Sequence, residues 1–287
     1  MYAVTGSTGQ VGGAVVRALL AQGRQVRALL RDPAKAAALQ QAGAETFVVD
    51  MEDPSHVEQA FTGVEGVFVM TPPLLSAPDP RGEHEMMLAT ITHALQAAHV
   101  PRVVFLSSIG AELDEGTGPI LKTHDMEQAL FALPLEKAAI RAAYFMENLV
   151  PAYGHAKESG HLPVLIEPLD KSLAMVATRD IGELAAELLT AEWTGQRILE
   201  LEGPRQYSMQ DAAAVLSRQA AREIVPVLVP REQRAAMFEQ FGASPKAAED
   251  MVEMSDGMSQ GLIAFAGGAG IEHQQGATTL EQVFSKL

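Results

Sequence analysis

Tyr2-Ala3-Val4-Thr5-Gly6-Ser7-Thr8-Gly9-Gln10-Val11-Gly12 opens the chain, and these residues decide the fold. An apolar, β-prone start runs into glycines at 6, 9 and 12. Gly6 bends the chain out of a strand, Gly9 lets the backbone approach a pyrophosphate, and Gly12 lets the next helix pack closely on a sheet. Val11, Val15, Val16, Leu19 and Leu20 then fall on one helical face, with Gly23 placed as the C-cap. A second β-rich run covers 25–30. Strand, turn, helix and strand in this order predict a dinucleotide whose phosphates sit on the free N–H groups at the helix start. Gly6, Ser7, Thr8, Gly9, Gln10 and Val11 are the candidate contacts.

Working outward, β-rich runs at 2–5, 25–30, 45–49, 66–70, 102–106 and 138–144 alternate with segments of helical period. The pattern predicts an α/β protein, a Rossmann-type, doubly wound parallel sheet covered by helices on both faces. Asp32 and Pro33 read as the cap and first residue of the second crossover, which ends at Gly43; further helices are expected over 55–61, 82–98 and 120–131. After Asn148 the pattern changes. Residues 151–173 and 205–287 are expected to form a smaller, mostly helical lobe for substrate. A strand over 171–176 leads into residues 174–204, which hold a helix with Thr178 as candidate cap and a strand over 197–201 and return to the 1–150 nucleotide-binding domain. Ser208 with Asp211, and Thr278 with Glu281, have capping-box spacing.

Cofactor choice is read at the end of the second strand, where an acidic side chain would bind the ribose 2′-hydroxyl of NAD. Leu30 and Arg31 stand there instead. A guanidinium suits a 2′-phosphate, so NADPH is the expected cofactor; the plain alternative pairs Arg31 with Asp32 at the surface. Asp50 and Met51, at the end of the third strand, are candidates for the adenine edge, although an aspartate before Pro54 also suits a turn. Thr71, Pro72, Ser107 and Ser108 end further strands on the edge where doubly wound sheets bind ligands.

Composition narrows the rest. Of 287 residues 47% are hydrophobic, enough for a large core, and 36 acids against 21 bases give a formal charge of -15. That charge opposes phosphate backbones and anionic lipid, so neither nucleic acid nor membrane is an expected partner. Cysteine is absent, which excludes disulfides and thiol chemistry. The eight histidines show no ligand spacing, and Glu83-His84-Glu85 lacks a second histidine one turn on, so no metal site is expected. With a strand from the first residues and no run near 20 apolar residues, a cytoplasmic location is expected.

The chain also resembles a family. Val4 to Gly12, Leu30-Arg31-Asp32-Pro33-Ala34-Lys35, Arg141-Ala142-Ala143-Tyr144-Phe145-Met146-Glu147-Asn148-Leu149, Val176-Ala177-Thr178-Arg179-Asp180-Ile181-Gly182 and Leu199-Glu200-Leu201-Glu202-Gly203-Pro204 together resemble the NmrA-like group of atypical short-chain dehydrogenases. Within it the chain is most similar to bacterial NADPH-dependent quinone oxidoreductases. The resemblance implies NADPH in a cleft and hydride transfer to a quinone or similar small acceptor; some relatives instead sense the dinucleotide without turnover and act through a protein partner. A homodimer is left open.

Standard short-chain dehydrogenases place Tyr-x-x-x-Lys on the helix after the fifth strand, the lysine lowering the tyrosine's pKa. Lys122 is present here, but Gly118 stands four residues before it. Tyr153 and Lys157 have the spacing after the wrong strand and read as coincidence. An epimerase, which needs the tyrosine, therefore ranks low. Lys122 and Tyr144 are the catalytic candidates. Lys122 steadies the nicotinamide ribose or an acceptor oxygen, or is an exposed lysine facing Asp125. Tyr144, Phe145 and Asn148 form an acceptor wall with one amide handle, or Phe145 and Met146 are core.

Overall fold

The computed structural model describes residues 1–285. Strands β1 (Tyr2–Val4), β2 (Val26–Leu30), β3 (Glu45–Val48), β4 (Gly66–Val69), β5 (Arg102–Ser108) and β6 (Glu136–Ala142) are all parallel. Helices α1 (Gln10–Ala21), α2 (Ala36–Gln41), α3 (Pro54–Phe61), α4 (Pro80–Ala97) and α5 (Leu121–Phe131) connect them. Burial on both faces explains why the central strands read as unbroken apolar runs. Alternate residues still serve different layers. Val4, Phe68, Val104 and Ile140 lie in one layer with Val15 and Leu19 of α1 and with Ile181 and Leu188, while Ala3, Val67, Val69 and Phe105 pack with Val57, Ile91, Leu95 and Leu130 of α3, α4 and α5. Each fully buried Val, Leu or Phe contributes about 1.5–3 kcal/mol.

Past β6 come β7 (Tyr144–Phe145), α6 (Val150–Ser159), β8 (His161–Val164), β9 (Met175–Val176), α7 (Thr178–Thr190), β10 (Gln196–Glu202), α8 (Met209–Ala220), β11 (Val225–Leu228), α9 (Arg231–Gln240), α10 (Pro245–Gln260), β12 (Ile271–Gln275) and α11 (Leu280–Phe284). β10 pairs with β6, and the eight-stranded order is β12-β10-β6-β5-β4-β1-β2-β3. The order reverses between β1 and β4, the point at which such sheets bind ligands beyond their C-terminal edge. β8 with β11 and β7 with β9 form separate two-stranded sheets.

Several details differ from the sequence expectations. Ile271–Gln275, within the stretch assigned to the second lobe, is an edge strand of the main sheet beside β10. Its half-exposed Ile-Glu-His-Gln-Gln carries little apolar signal because an edge buries little. The run at 171–176 shortens to β9, and the strand at 138–144 breaks at Ala143 into β6 and β7. The final capping box is Thr279 with Gln282, because Thr278 is occupied: its N–H and hydroxyl both donate to buried Asp180, at 2.9 and 2.5 Å. Ala177, not Thr178, caps α7; Thr178 is the first helical residue and donates its N–H and hydroxyl to Glu147.

These contacts give the Thr178-Arg179-Asp180-Ile181-Gly182 segment its physical meaning. Asp180 anchors the chain before α11. Gly182 lets α7 approach α1, since a Cβ there would lie 2.5 Å from that of Ala14.

Candidate functional site

The crevice begins at the glycine turn. Gly6 has φ +61, and a Cβ on it would lie 2.7 Å from Met70 Sδ; a Cβ on Gly12 would lie 2.2 Å from the Gly6 carbonyl oxygen. Both positions need glycine, one for its backbone and one for space. No side chain caps α1, nor α2, α5, α6, α7 or α9 from the N-cap position, whereas Asp53, Asp79, Ser208, Ser244 and Thr279 cap α3, α4, α8, α10 and α11. The helix start thus presents backbone N–H groups and the positive end of the dipole to whatever enters.

The side chains of the turn divide by role. Thr5 Oγ1 donates to the Met70 carbonyl at 2.9 Å and accepts from Met70 N–H at 2.8 Å, tying the turn to the end of β4. Ser7 is buried and donates to the Leu29 carbonyl at 2.5 Å, so its hydroxyl braces β2 and only its backbone faces the crevice. Val11 is buried core, while Thr8 and Gln10 are exposed at the mouth.

Arg31 is exposed at the end of β2. The Asp32 carboxylate accepts instead from Ala34 N–H at 2.9 Å, opening the 3-10 turn Pro33–Lys35. Asp50 forms a turn, its Oδ1 accepting from Glu52 N–H at 3.0 Å, and half-buried Met51 packs on the core beneath. Thr71 and Pro72 are half-buried beyond β4. Ser107 faces inward and donates to Glu127 at 2.5 Å; Ser108 lies on the crevice side.

At the other end, Ser108, Tyr144, Phe145 and Asn148 line a cavity of about 190 Å³ with Ile109, Ile120, Ala143, and with Met254, Met258 and Ile263 on and beyond α10. The walls are mainly apolar and no charged side chain is among them. Burial pushes the Tyr144 phenol up to about 12, with the neighbouring Asn148 amide pulling the other way. It is a neutral hydrogen-bonding group at physiological pH and a poor proton source.

Lys122 is buried, not exposed toward Asp125. Its ammonium donates to the Pro73 carbonyl at 2.6 Å, and burial lowers its pKa against the opposing pull of Asp250. Asp125 pairs with Arg81 through two 2.8 Å bonds.

The missing tyrosine has a steric cause. Gly118 has φ +58, and a Cβ there would lie 2.0 Å from the Asp250 carbonyl oxygen of α10. No side chain fits where the dehydrogenase tyrosine would stand. Tyr153 packs edge-on against Phe284, away from Lys122's neighbours.

Sequence reasoning passed over the network beneath. Buried Arg141 of β6 donates to Glu127 at 2.9 and 2.7 Å and to Glu112 at 3.0 Å, and Glu127 also takes Ser107. A bidentate buried pair fixes geometry, and losing one partner costs about 3–5 kcal/mol. The signal was an arginine inside the apolar run of β6; Glu127 sits in a polar helix and gave none. Among the described residues, no group of three or more His, Asp or Glu is placed to hold a metal, and no helix is long and apolar enough to cross a membrane.

Family comparison agrees with this geometry: the NmrA-like family model matches residues 2–268. The chain belongs to the NmrA-like family. It is 29% identical over 255 residues to the NAD(P)H azoreductase of Xenophilus azovorans, covering 88% of this chain and 86% of that one. Quinone oxidoreductase 2 of Escherichia coli is 26% identical over 268 residues, covering 91% and 89%. The Citrobacter triphenylmethane reductase, solved with NADP(H), superposes with a TM-score of 0.80 at 22% identity over 100% of this chain and 99% of that one, a likeness of fold.

Proposed function

We propose that this protein passes a hydride from NADPH to a quinone or a similar small electrophilic acceptor. It is an NAD(P)H-dependent oxidoreductase of the NmrA-like family, and its full-length relatives include an azoreductase and a quinone oxidoreductase. The observation carrying the finer reading is one continuous sheet edge. It holds the uncapped glycine turn and exposed Arg31 at one end and the cavity of Tyr144, Phe145 and Asn148 at the other.

The residues fit the dinucleotide. Gly12 lets α1 start directly beneath the turn, α1 offers N–H groups to the pyrophosphate, and Arg31 is placed for a 2′-phosphate. When bound, the nicotinamide supplies the hydride. The protein's share is to hold a planar acceptor between apolar walls, exclude water, and offer the Asn148 amide and Tyr144 hydroxyl to acceptor oxygens. A quinone needs no protein acid, because the hydroquinone anion left by hydride transfer takes its proton from water as it leaves the site. That suits a site with a raised phenol and no room for a tyrosine at 118.

The test is NADPH consumption with a panel of quinones and azo compounds, followed at the nicotinamide absorbance band. Saturable, protein-dependent turnover of at least one quinone is expected; no turnover with any acceptor overturns the reading. The same missing acid favours, as the second reading, a dinucleotide sensor acting through a protein partner. That reading requires NADP-dependent partner binding without turnover.

A further inference from the structure

The segment between β4 and α4 runs along the crevice at the point where the strand order reverses, so it separates the turn after β1 from the strands leading to the acceptor cavity. It is poorly equipped to hold its own shape. Pro72 and Pro73 have no N–H to donate, Pro73 and Leu75 are exposed, and Leu74 adopts φ +55, a left-handed conformation costly for a branched residue. Its one internal turn is Ala77 N–H to the Leu74 carbonyl, 3.1 Å.

Outside groups hold it at three points. Thr5 clasps Met70 through both its N–H and its carbonyl. Lys122 donates to the Pro73 carbonyl at 2.6 Å. Ser244 N–H, at the start of α10, donates to the Leu75 carbonyl at 2.7 Å. The segment is therefore tied at one end to the glycine turn, at the other to the helix whose Met254 and Met258 wall the acceptor cavity, and in the middle to Lys122.

The surroundings of Lys122 suit a tether. An ammonium this buried needs a fixed acceptor, and the Pro73 carbonyl is one. His84 on α4, fully buried and without a ring-nitrogen partner among the described residues, is held neutral, with the Lys122 charge among the causes. Asp250 of α10 favours the charged ammonium. The Tyr144 phenol is governed by burial and Asn148, and Lys122 is not among its influences.

We propose that Lys122 is a positioning residue, holding the 71–77 segment as a strap between the dinucleotide crevice and the α10 wall and delivering no proton to the acceptor. The role rests on the reductase reading above, but the tether itself can be tested without turnover.

Amide hydrogen exchange is measured at Ala77, whose N–H closes the segment's internal turn, in the wild type, Lys122→Met and Lys122→Arg, without dinucleotide. Lys122→Met raises exchange there by about tenfold or more, while Lys122→Arg, which can still donate to the carbonyl, stays within about threefold of the wild type. With an accepted quinone, Lys122→Met raises KM for both substrates by about tenfold and leaves kcat within about threefold, and arginine rescues. Ser244→Pro, which removes the donor to Leu75 at a residue with φ -66 together with the hydroxyl cap of α10, loosens the same amide with Lys122 intact, and Lys122→Leu serves if Lys122→Met does not fold. Unchanged exchange in the folded variants overturns the proposal. So does a kcat loss of about a hundredfold that arginine does not rescue, the mark of a proton donor or direct contact. If the wild type reduces no quinone, the reductase reading fails and the exchange result still decides the tether.

Discussion

The two ends of the crevice are built on different principles. The glycine turn is shaped by residues close in sequence: Gly12 is crowded by Gly6, and Gly9 N–H bonds back to the Gly6 carbonyl at 2.9 Å. The proposed acceptor end is shaped at long range, with Gly118 crowded by Asp250, Lys122 bound to Pro73, and a cavity closed by Met254 and Met258. Local constraint leaves a motif. Long-range constraint leaves single residues whose purpose shows only in three dimensions.

Breaking the local end should have the largest effect. Gly12→Ala drives a methyl into the Gly6 carbonyl, where neither backbone can yield, and NADPH affinity should fall by about a hundredfold or more in calorimetric titration. Retained affinity would show that the turn tolerates a shift the packing does not suggest.

The frame joining the two ends comes next. Arg141→Leu leaves Glu127 buried without its bidentate partner, and chemical denaturation should show a loss of about 3–5 kcal/mol. Gly118→Ala meets both a left-handed φ and the Asp250 carbonyl, so a loss of about 2–3 kcal/mol and a melting point lower by about 3–5 °C are expected by calorimetry. For the same reason Gly118→Tyr should not create a carbonyl reductase, and a gain of such activity would contradict the packing of α10.

Tyr144→Phe should be the mildest change. With the phenol at about 12 in the folded protein and near 10 when unfolded, Tyr144 contributes nothing pH-dependent below about pH 10 and loses stability as pH rises from about 10 to 12. Urea titrations of wild type and Tyr144→Phe should run in parallel from pH 6 to 9, with the wild type falling away only above that. Quinone turnover should change by less than about threefold, and a collapse would make the phenol an acid after all.

What the sequence conveyed follows the same division. The parallel sheet, its crossovers and the return of β10 were legible because two-sided burial leaves apolar runs and helical periods. The turn was legible because its glycines are adjacent constraints. β12 was not: an edge strand of Ile-Glu-His-Gln-Gln buries little and has no alternation to read. Lys122 read equally as a catalytic group and as an exposed helix lysine, because the carbonyl that buries it lies 49 residues earlier. Ser107 was nominated by position alone, and only the structure reveals Glu127 behind it. Glu147 and Asp180 stood in family motifs without a role until α7 and the segment before α11 were seen to hang from them.

The central claim, that the edge where the strand order reverses is an NADPH site read by Arg31, is tested most directly by calorimetric titration of the wild type and Arg31→Ala with NADPH and NADH. The account predicts that NADPH binds the wild type about tenfold or more tighter than NADH and that the variant loses that preference while still binding NADH. Equal affinity of the wild type for both dinucleotides, or binding of neither, would contradict it.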